Sequence, residues 1–122
     1  MEIPKTLLIV EDDPGLQSQM RWCFEDLEVI LASDRKAAEA ELIRHRPSVV
    51  TLDLGLPPDA GGTAEGFALL RTIQKSLPHT KVIVITGREE RDAALQAIAA
   101  GAYDFYQKPI DARTLKFAVT RA

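Results

Sequence analysis

Five short runs of β-branched and aliphatic residues recur along the chain, at Thr6 to Val10, Val29 to Ala32, Ser48 to Leu54, Lys81 to Thr86 and Tyr103 to Gln107. Each is followed by a stretch with helical spacing. Apolar runs of this length suit strands covered on both faces, which is the condition in a parallel sheet. Parallel neighbours need a long crossover between them, most often a helix. Strict βα alternation therefore implies an α/β domain whose right-handed crossovers lay helices on both faces of the sheet. No internal repeat, low-complexity tract or interdomain linker breaks the pattern, and 122 residues suit one domain, residues 1–122.

The helical stretches carry their own punctuation. Asp13-Pro14 reads as a carboxylate cap followed by proline in the first turn. Leu16, Met20, Cys23, Phe24 and Leu27 follow as one apolar stripe. Cys23 on that stripe reads as core packing. Trp22 points away from the stripe, either covered by neighbours or offered to a partner. Ser33 reads as the cap of a helix from Asp34 to His45, with Ala37, Ala38, Leu42 and Ile43 facing inward and Pro47 ending it. Phe67, Leu70, Ile73 and Leu77 mark a third helix, stopped by Pro78. A fourth is predicted from Glu89 to Ala100, ending at Gly101. Asp111 caps a last helix carrying Leu115, Ala118, Val119 and Ala122. Its apolar pattern is still running at Ala122, so a fragment of a longer protein is expected.

Composition excludes several classes. Lys and Arg number 15 against 18 Asp and Glu, a net charge of −3, so charge alone predicts no nucleic-acid footprint. One cysteine allows no intrachain disulfide and argues against a cysteine zinc site. No apolar run is long enough to span a bilayer and no signal sequence opens the chain, so the expectation is a cytoplasmic protein without membrane contact.

Against that background Asp53 is anomalous. It is a carboxylate near the end of a strand that reads as buried, followed by a long loop, residues 55–64, with two prolines and two adjacent glycines. That loop either reshapes access for a partner or is solvated slack. Ligands of open α/β sheets bind at the carboxyl ends of the strands. Glu11 and Asp12 follow the first strand, Thr86 ends the fourth and Lys108 follows the fifth. With the first, third, fourth and fifth strands adjacent, these residues converge on one edge. Three carboxylates in one pocket repel unless a cation enters. Oxygen ligation by carboxylates, a carbonyl and waters suits Mg²⁺. Asp53 is then placed to act as a nucleophile forming an aspartyl phosphate, with Lys108 and Thr86 facing the phosphoryl oxygens. Gly87 leaves room for that group.

The residues that carry this constellation also carry a resemblance. Leu7-Leu8-Ile9-Val10-Glu11-Asp12-Asp13, Val50-Thr51-Leu52-Asp53-Leu54-Gly55-Leu56-Pro57, Val82-Ile83-Val84-Ile85-Thr86-Gly87 and Gly101-Ala102-Tyr103-Asp104-Phe105-Tyr106-Gln107-Lys108-Pro109 resemble the receiver domain of two-component response regulators across essentially the whole chain. The resemblance implies a flavodoxin-like (βα)5 fold with a parallel sheet of order 2-1-3-4-5, as in CheY-like proteins. It implies Glu11 and Asp12 as an acidic metal pair, Asp53 as phosphoacceptor and the Gly55 carbonyl as a further ligand to Mg²⁺. It implies Thr86 as switch hydroxyl, Phe105 as switch aromatic, and a cis Lys108-Pro109 bond that aims the lysine inward. The expected partner is a sensor histidine kinase or phosphotransfer protein, with self-association possible and DNA reached only through a downstream domain. The long loop and the Tyr103 to Pro109 block look most like receivers attached to NtrC-like transcription activators. Two features depart from the usual pattern. The loop after Asp53 is longer, and Phe105 stands where tyrosine is common.

The competing readings are of different classes. A haloacid-dehalogenase-type phosphohydrolase would use a second aspartate two residues after the nucleophile, where this chain has Gly55. A receiver-fold interaction module independent of phosphorylation would not need Glu11, Asp12, Asp53, Thr86 and Lys108 together. A free-standing receiver would signal through contacts alone. No glycine fingerprint follows the first strand, which disfavours a nucleotide-binding domain.

Overall fold

A computed structural model of the chain describes residues 5–58, 62–87 and 91–122. In chain order the elements are β1 (Thr6–Val10), α1 (Pro14–Trp22), β2 (Glu28–Ala32), α2 (Arg35–His45), β3 (Val49–Leu52), α3 (Ala64–Ser76), β4 (Lys81–Thr86), α4 (Arg91–Ala99), β5 (Asp104–Gln107) and α5 (Ala112–Arg121). The five strands form one parallel sheet in the order β2-β1-β3-β4-β5, as the resemblance implied.

Alternate side chains of each strand feed two cores, because strand neighbours point to opposite faces. Leu8, Val10, Val50, Leu52, Val82 and Val84 pack with residues of α2, α3 and α4. Leu7, Ile9, Val49, Ile83 and Ile85 pack with Met20 and Phe24 on one side and Leu115, Ala118 and Val119 of α5 on the other. Full burial of one such aliphatic side chain is worth about 1.5–3 kcal/mol, so the central strands anchor the domain.

Two glycines are fixed by space and by backbone. A Cβ on Gly66 would lie 2.4 Å from the Leu54 Cα, so only glycine lets α3 approach the segment after β3 so closely. Gly101 has φ +106° and its carbonyl accepts from Gln74 Nε2 at 2.9 Å.

Several elements differ from the sequence expectation. α1 stops at Trp22, and Cys23 forms its C-cap, although Phe24 is buried and Leu27 still packs on the second core. A helix carried on to Leu27 would span about 21 Å against about 17 Å for a five-residue strand, so it would overshoot the return to β2. Cys23 packs against the same core, and its Sγ lies 3.4 Å from the Gln19 carbonyl. Trp22 is 82% exposed, so neighbours do not cover it. Asp34, not Ser33, caps α2, its carboxylate accepting from Ala37 N at 2.7 Å. A charged acceptor suits the positive end of a helix, and the Ser33 hydroxyl accepts instead from Gln17 Nε2 at 3.2 Å. Ala38 and Leu42, one turn apart, are the buried residues of α2, while Ala37 and Ile43 fall round the helix and are exposed. The central strand ends at Leu52, so Asp53 and Leu54 lie just past it, and Tyr103 precedes β5 rather than opening it. The expected start of the fourth helix at Glu89, and Asp59, Ala60 and Gly61 of the long loop, lie outside the described residues. Among the described residues no helix is long and apolar enough to cross a membrane.

Candidate functional site

The strand register brings the carboxyl ends of the central strands level. Val10 pairs with Leu52, and Leu52 with Val84. Backbone bonds continue the ladder one step further. Glu11 N donates to Ala32 O at 3.0 Å, Asp53 N to Val10 O at 3.0 Å, and Lys108 N to Thr86 O at 2.6 Å. The polar residues after the strands are therefore held by the sheet itself.

Oxygens of the Glu11, Asp12 and Asp53 carboxylates all lie within 4.8 Å of one another. Glu11 is 3% exposed and Asp53 8%. The Lys108 ammonium reaches between them, with Nζ 2.6 Å from Glu11 Oε1 and 3.1 Å from Asp53 Oδ2. The bond between Lys108 and Pro109 is cis, and so is that between Pro57 and Pro58, which the sequence did not announce. The second oxygen of each buried acid has a backbone donor. Glu11 Oε2 accepts from Asp13 N at 3.1 Å, and Asp53 Oδ1 from Gly55 N at 3.1 Å.

Burial is the main force on Glu11. It pushes the carboxyl from its ordinary 4.5 to about 7, with the nearby Asp53 charge acting the same way and the Lys108 hydrogen bond opposing. Burial also works against the Lys108 ammonium, but the two carboxylates outweigh it and hold its pKa above the ordinary lysine value. Three clustered acids against one ammonium leave an excess of negative charge when all are ionised. The donors are all hard oxygens, and that set fits a small divalent cation such as Mg²⁺.

The other sequence candidates fall around this centre. Thr86 is completely buried at the end of β4, beside Gln107 in the register. Among the described residues a Cβ on Gly87 would meet nothing within 4 Å, which leaves space beside Thr86. Phe105 lies three residues before Lys108 on β5, half-buried against the α2–α3–α4 core. The structure thus brings Glu11, Asp12, Asp53 and Lys108 into one cluster, with Gly55 bonded to Asp53, Thr86 at the neighbouring strand end and Phe105 further back along β5.

One supporting residue escaped the sequence reading. Gln17, on α1, is buried and its Nε2 donates to the Glu11 carbonyl, with the Ala32 carbonyl at 3.4 Å. It ties the segment that carries Glu11 and Asp12 to the ends of β1 and β2. The signal was present, since Gln17 sits three residues before Met20 on the inward side of the helix.

A parallel 2-1-3-4-5 sheet with buried acids and a lysine at its carboxyl edge defines a receiver-type signalling domain. The chain matches the response regulator receiver domain over residues 7–120, and it belongs to that family. Its relatives include NtrX from Azorhizobium caulinodans, 34% identical over 118 residues, covering 95% of this chain and 25% of that protein. PilR from Pseudomonas aeruginosa is 34% identical over 117 residues, covering 94% of this chain and 25% of that protein. The chain therefore spans about a quarter of the length of these relatives, which fall in the NtrC-like group expected from the sequence. Among solved structures, the receiver domain of NtrX from Brucella abortus superimposes with a TM-score of 0.84 at 32% identity, covering 94% of this chain and 95% of that one.

Proposed function

We propose that this chain is a phosphoryl-accepting switch in which Asp53 is the nucleophile. The observation that carries the reading is the buried Asp53 carboxylate held 3.1 Å from the Lys108 ammonium, with Glu11 and Asp12 beside it. An Asp53 carboxylate oxygen forms a P–O bond to the incoming phosphorus. The P–N bond of a phosphohistidine on a sensor kinase or phosphotransfer protein breaks, and its electron pair returns to the imidazole, which takes a proton. Positioning and charge compensation supply most of what such a transfer needs.

Glu11, Asp12, Asp53 and the Gly55 carbonyl are the groups that would hold Mg²⁺. Bound there, the ion neutralises the pocket and polarises a phosphoryl oxygen. Lys108 supplies a mobile point charge to another phosphoryl oxygen, and the Thr86 hydroxyl a donor. Among the described residues nothing crowds Gly87, which leaves room there for the incoming group.

The added charge, about −1.5 to −2 by analogy with other phosphorylated side chains, draws Thr86 and Lys108 toward Asp53. Phe105 turns inward into the space that Thr86 vacates. The face formed by α4, β5 and α5 changes, and the change biases a two-state equilibrium. In the full protein that face governs self-association or an effector, read here as a transcriptional one because of the NtrX and PilR likeness.

The test is incubation with Mg²⁺ and a small phosphodonor, followed by intact mass. A phosphate-sized adduct on the wild type and none on Asp53→Asn is expected. An unchanged wild-type mass, or equal adducts on both, sinks the reading.

A further inference from the structure

Thr51, on β3, lies two residues before Asp53, and the backbone bond from Asp53 N to Val10 O continues the ladder one step past the strand, so the two side chains fall on one face. In the register it sits between Ile9 and Ile83, and its neighbour on the same face, Val49, belongs to the apolar core against α1 and α5. The residue is 1% exposed. Among the described residues its hydroxyl is the one buried side-chain polar atom without a hydrogen-bond partner. Thr51, Glu11, Asp53, Met20 and Ile85 line a common void beneath the acidic cluster, and that void is too small to admit a water molecule.

Valine has the same shape and the same strand preference as threonine, and it would leave no orphan hydroxyl in this apolar setting. Every other buried polar side chain described in the molecule has found a partner, Thr86 included. An unsatisfied group directly behind a reactive carboxylate points to a second arrangement of the site in which it is satisfied. In the present arrangement the Lys108 ammonium occupies Glu11 Oε1 and Asp53 Oδ2. A divalent cation competes for the same oxygens, and Asp53 then loses its lysine donor.

We infer that Thr51 is a positioning residue for Asp53, its hydroxyl an idle donor while Lys108 bridges the acids and a donor to the Asp53 carboxylate once a cation displaces that lysine. It acts from below, on the side away from an incoming phosphoryl group, and so fixes the carboxylate without blocking attack. The inference rests on the phosphoacceptor reading of Asp53 but is measured separately from it.

The experiment compares wild type, Thr51→Val and Thr51→Ser by thermal unfolding without metal, by calorimetric Mg²⁺ titration and by phosphodonor uptake. Thr51→Val is expected to melt higher than wild type without metal, by about 3–5 °C, because it removes an unpaired hydroxyl. The same variant is expected to bind Mg²⁺ about tenfold more weakly, the scale of one lost hydrogen bond to a charged acceptor, and to take up phosphoryl more slowly. Thr51→Ser keeps the donor and should restore Mg²⁺ affinity despite its lost methyl. Unchanged Mg²⁺ affinity in Thr51→Val overturns the inference, as does a lower melting point without metal, which would mean the hydroxyl already has a partner. A wild type that binds Mg²⁺ but never takes up phosphoryl defeats the phosphoacceptor reading instead, and the Mg²⁺ titration still decides the role of Thr51.

Discussion

β3 and β5 each lead into a residue of the acidic cluster, Asp53 and Lys108, yet they are built differently. All four residues of β3 are buried, with a strand on each side and a helical layer on each face. β5 is an edge strand, half-buried along its length and exposed at Gln107. The helix beside it, α4, leaves Leu95 70% exposed and Ile98 48% exposed. The carboxylate proposed to meet an incoming group directly follows a strand that is buried along its whole length. The lysine and Phe105, whose proposed roles require movement, sit on or just after the half-buried edge strand, where less burial resists it. The difference separates a part that holds from a part that yields.

The largest expected effects test that contrast in packing. Leu52→Ala should cost about 2–5 kcal/mol, because Leu52 is wholly buried between two strands and cannot be replaced by local collapse. Phe105→Ala removes a larger side chain, yet it should cost less, about 1–2 kcal/mol, since part of that ring is already in water. Urea unfolding of both variants measures the pair. An equal or larger loss for Phe105→Ala would mean that the edge is as firmly packed as the centre.

The next effect depends on pH. Glu11 sits after β1, in the buried half, and burial raises its carboxyl from 4.5 to about 7. The folded state then holds a proton that the unfolded chain releases near 4.5. The stability Glu11 contributes is full below about pH 4.5 and is lost as pH rises through about 7. Metal-free wild type should therefore lose stability across that window, and Glu11→Gln should flatten the slope. Mg²⁺ should stabilise wild type more at pH 8 than at pH 5, since only the ionised carboxylate attracts it. Melting curves across the range, with and without Mg²⁺, read all three. A flat wild-type curve would mean that water reaches Glu11 and that the centre is no drier than the edge.

The contrast also explains what the sequence made legible. Apolar runs such as Leu7 to Val10 and Val82 to Ile85 are strands because little else buries them, and their order carried the sheet topology through the family resemblance. Glu11, Asp12, Asp53 and Lys108 were legible because charge at the end of an apolar strand is costly and rare. The misses lie where a choice is settled by packing in three dimensions. The stripe from Leu16 to Leu27 packs on the core as read, but nothing in its spacing tells that the helix ends at Trp22 and that Phe24 packs from a turn. Ser33 and Asp34 are both good caps, and the spacing alone does not tell that the carboxylate takes the helix end while the serine hydroxyl accepts from Gln17. Thr51 read as one more β-branched strand residue, and its unpaired hydroxyl becomes visible only once its neighbours are known.

The smallest expected effect concerns what still restrains the yielding edge. Asp104 opens β5, and its carboxylate gathers three donors: Phe105 N at 2.9 Å, the Tyr106 hydroxyl at 3.1 Å and the Arg121 guanidinium from the end of α5. Desolvation, with Asp104 adding to it, holds the Tyr106 hydroxyl above its ordinary pKa, so it stays a donor at neutral pH. Arg121 is half-exposed, and an ion pair of that kind is worth at most about 1 kcal/mol and weakens with salt. Arg121→Ala should thus change global stability by less than about 1 kcal/mol. It should nevertheless speed amide exchange in β5 severalfold while leaving β3 unchanged, because the lost bond ties α5 to the edge strand alone. High salt should reproduce the β5 effect in wild type and add nothing to the variant. If β3 and β5 responded together, the sheet would open as one unit, and the separation between a holding centre and a yielding edge would fail.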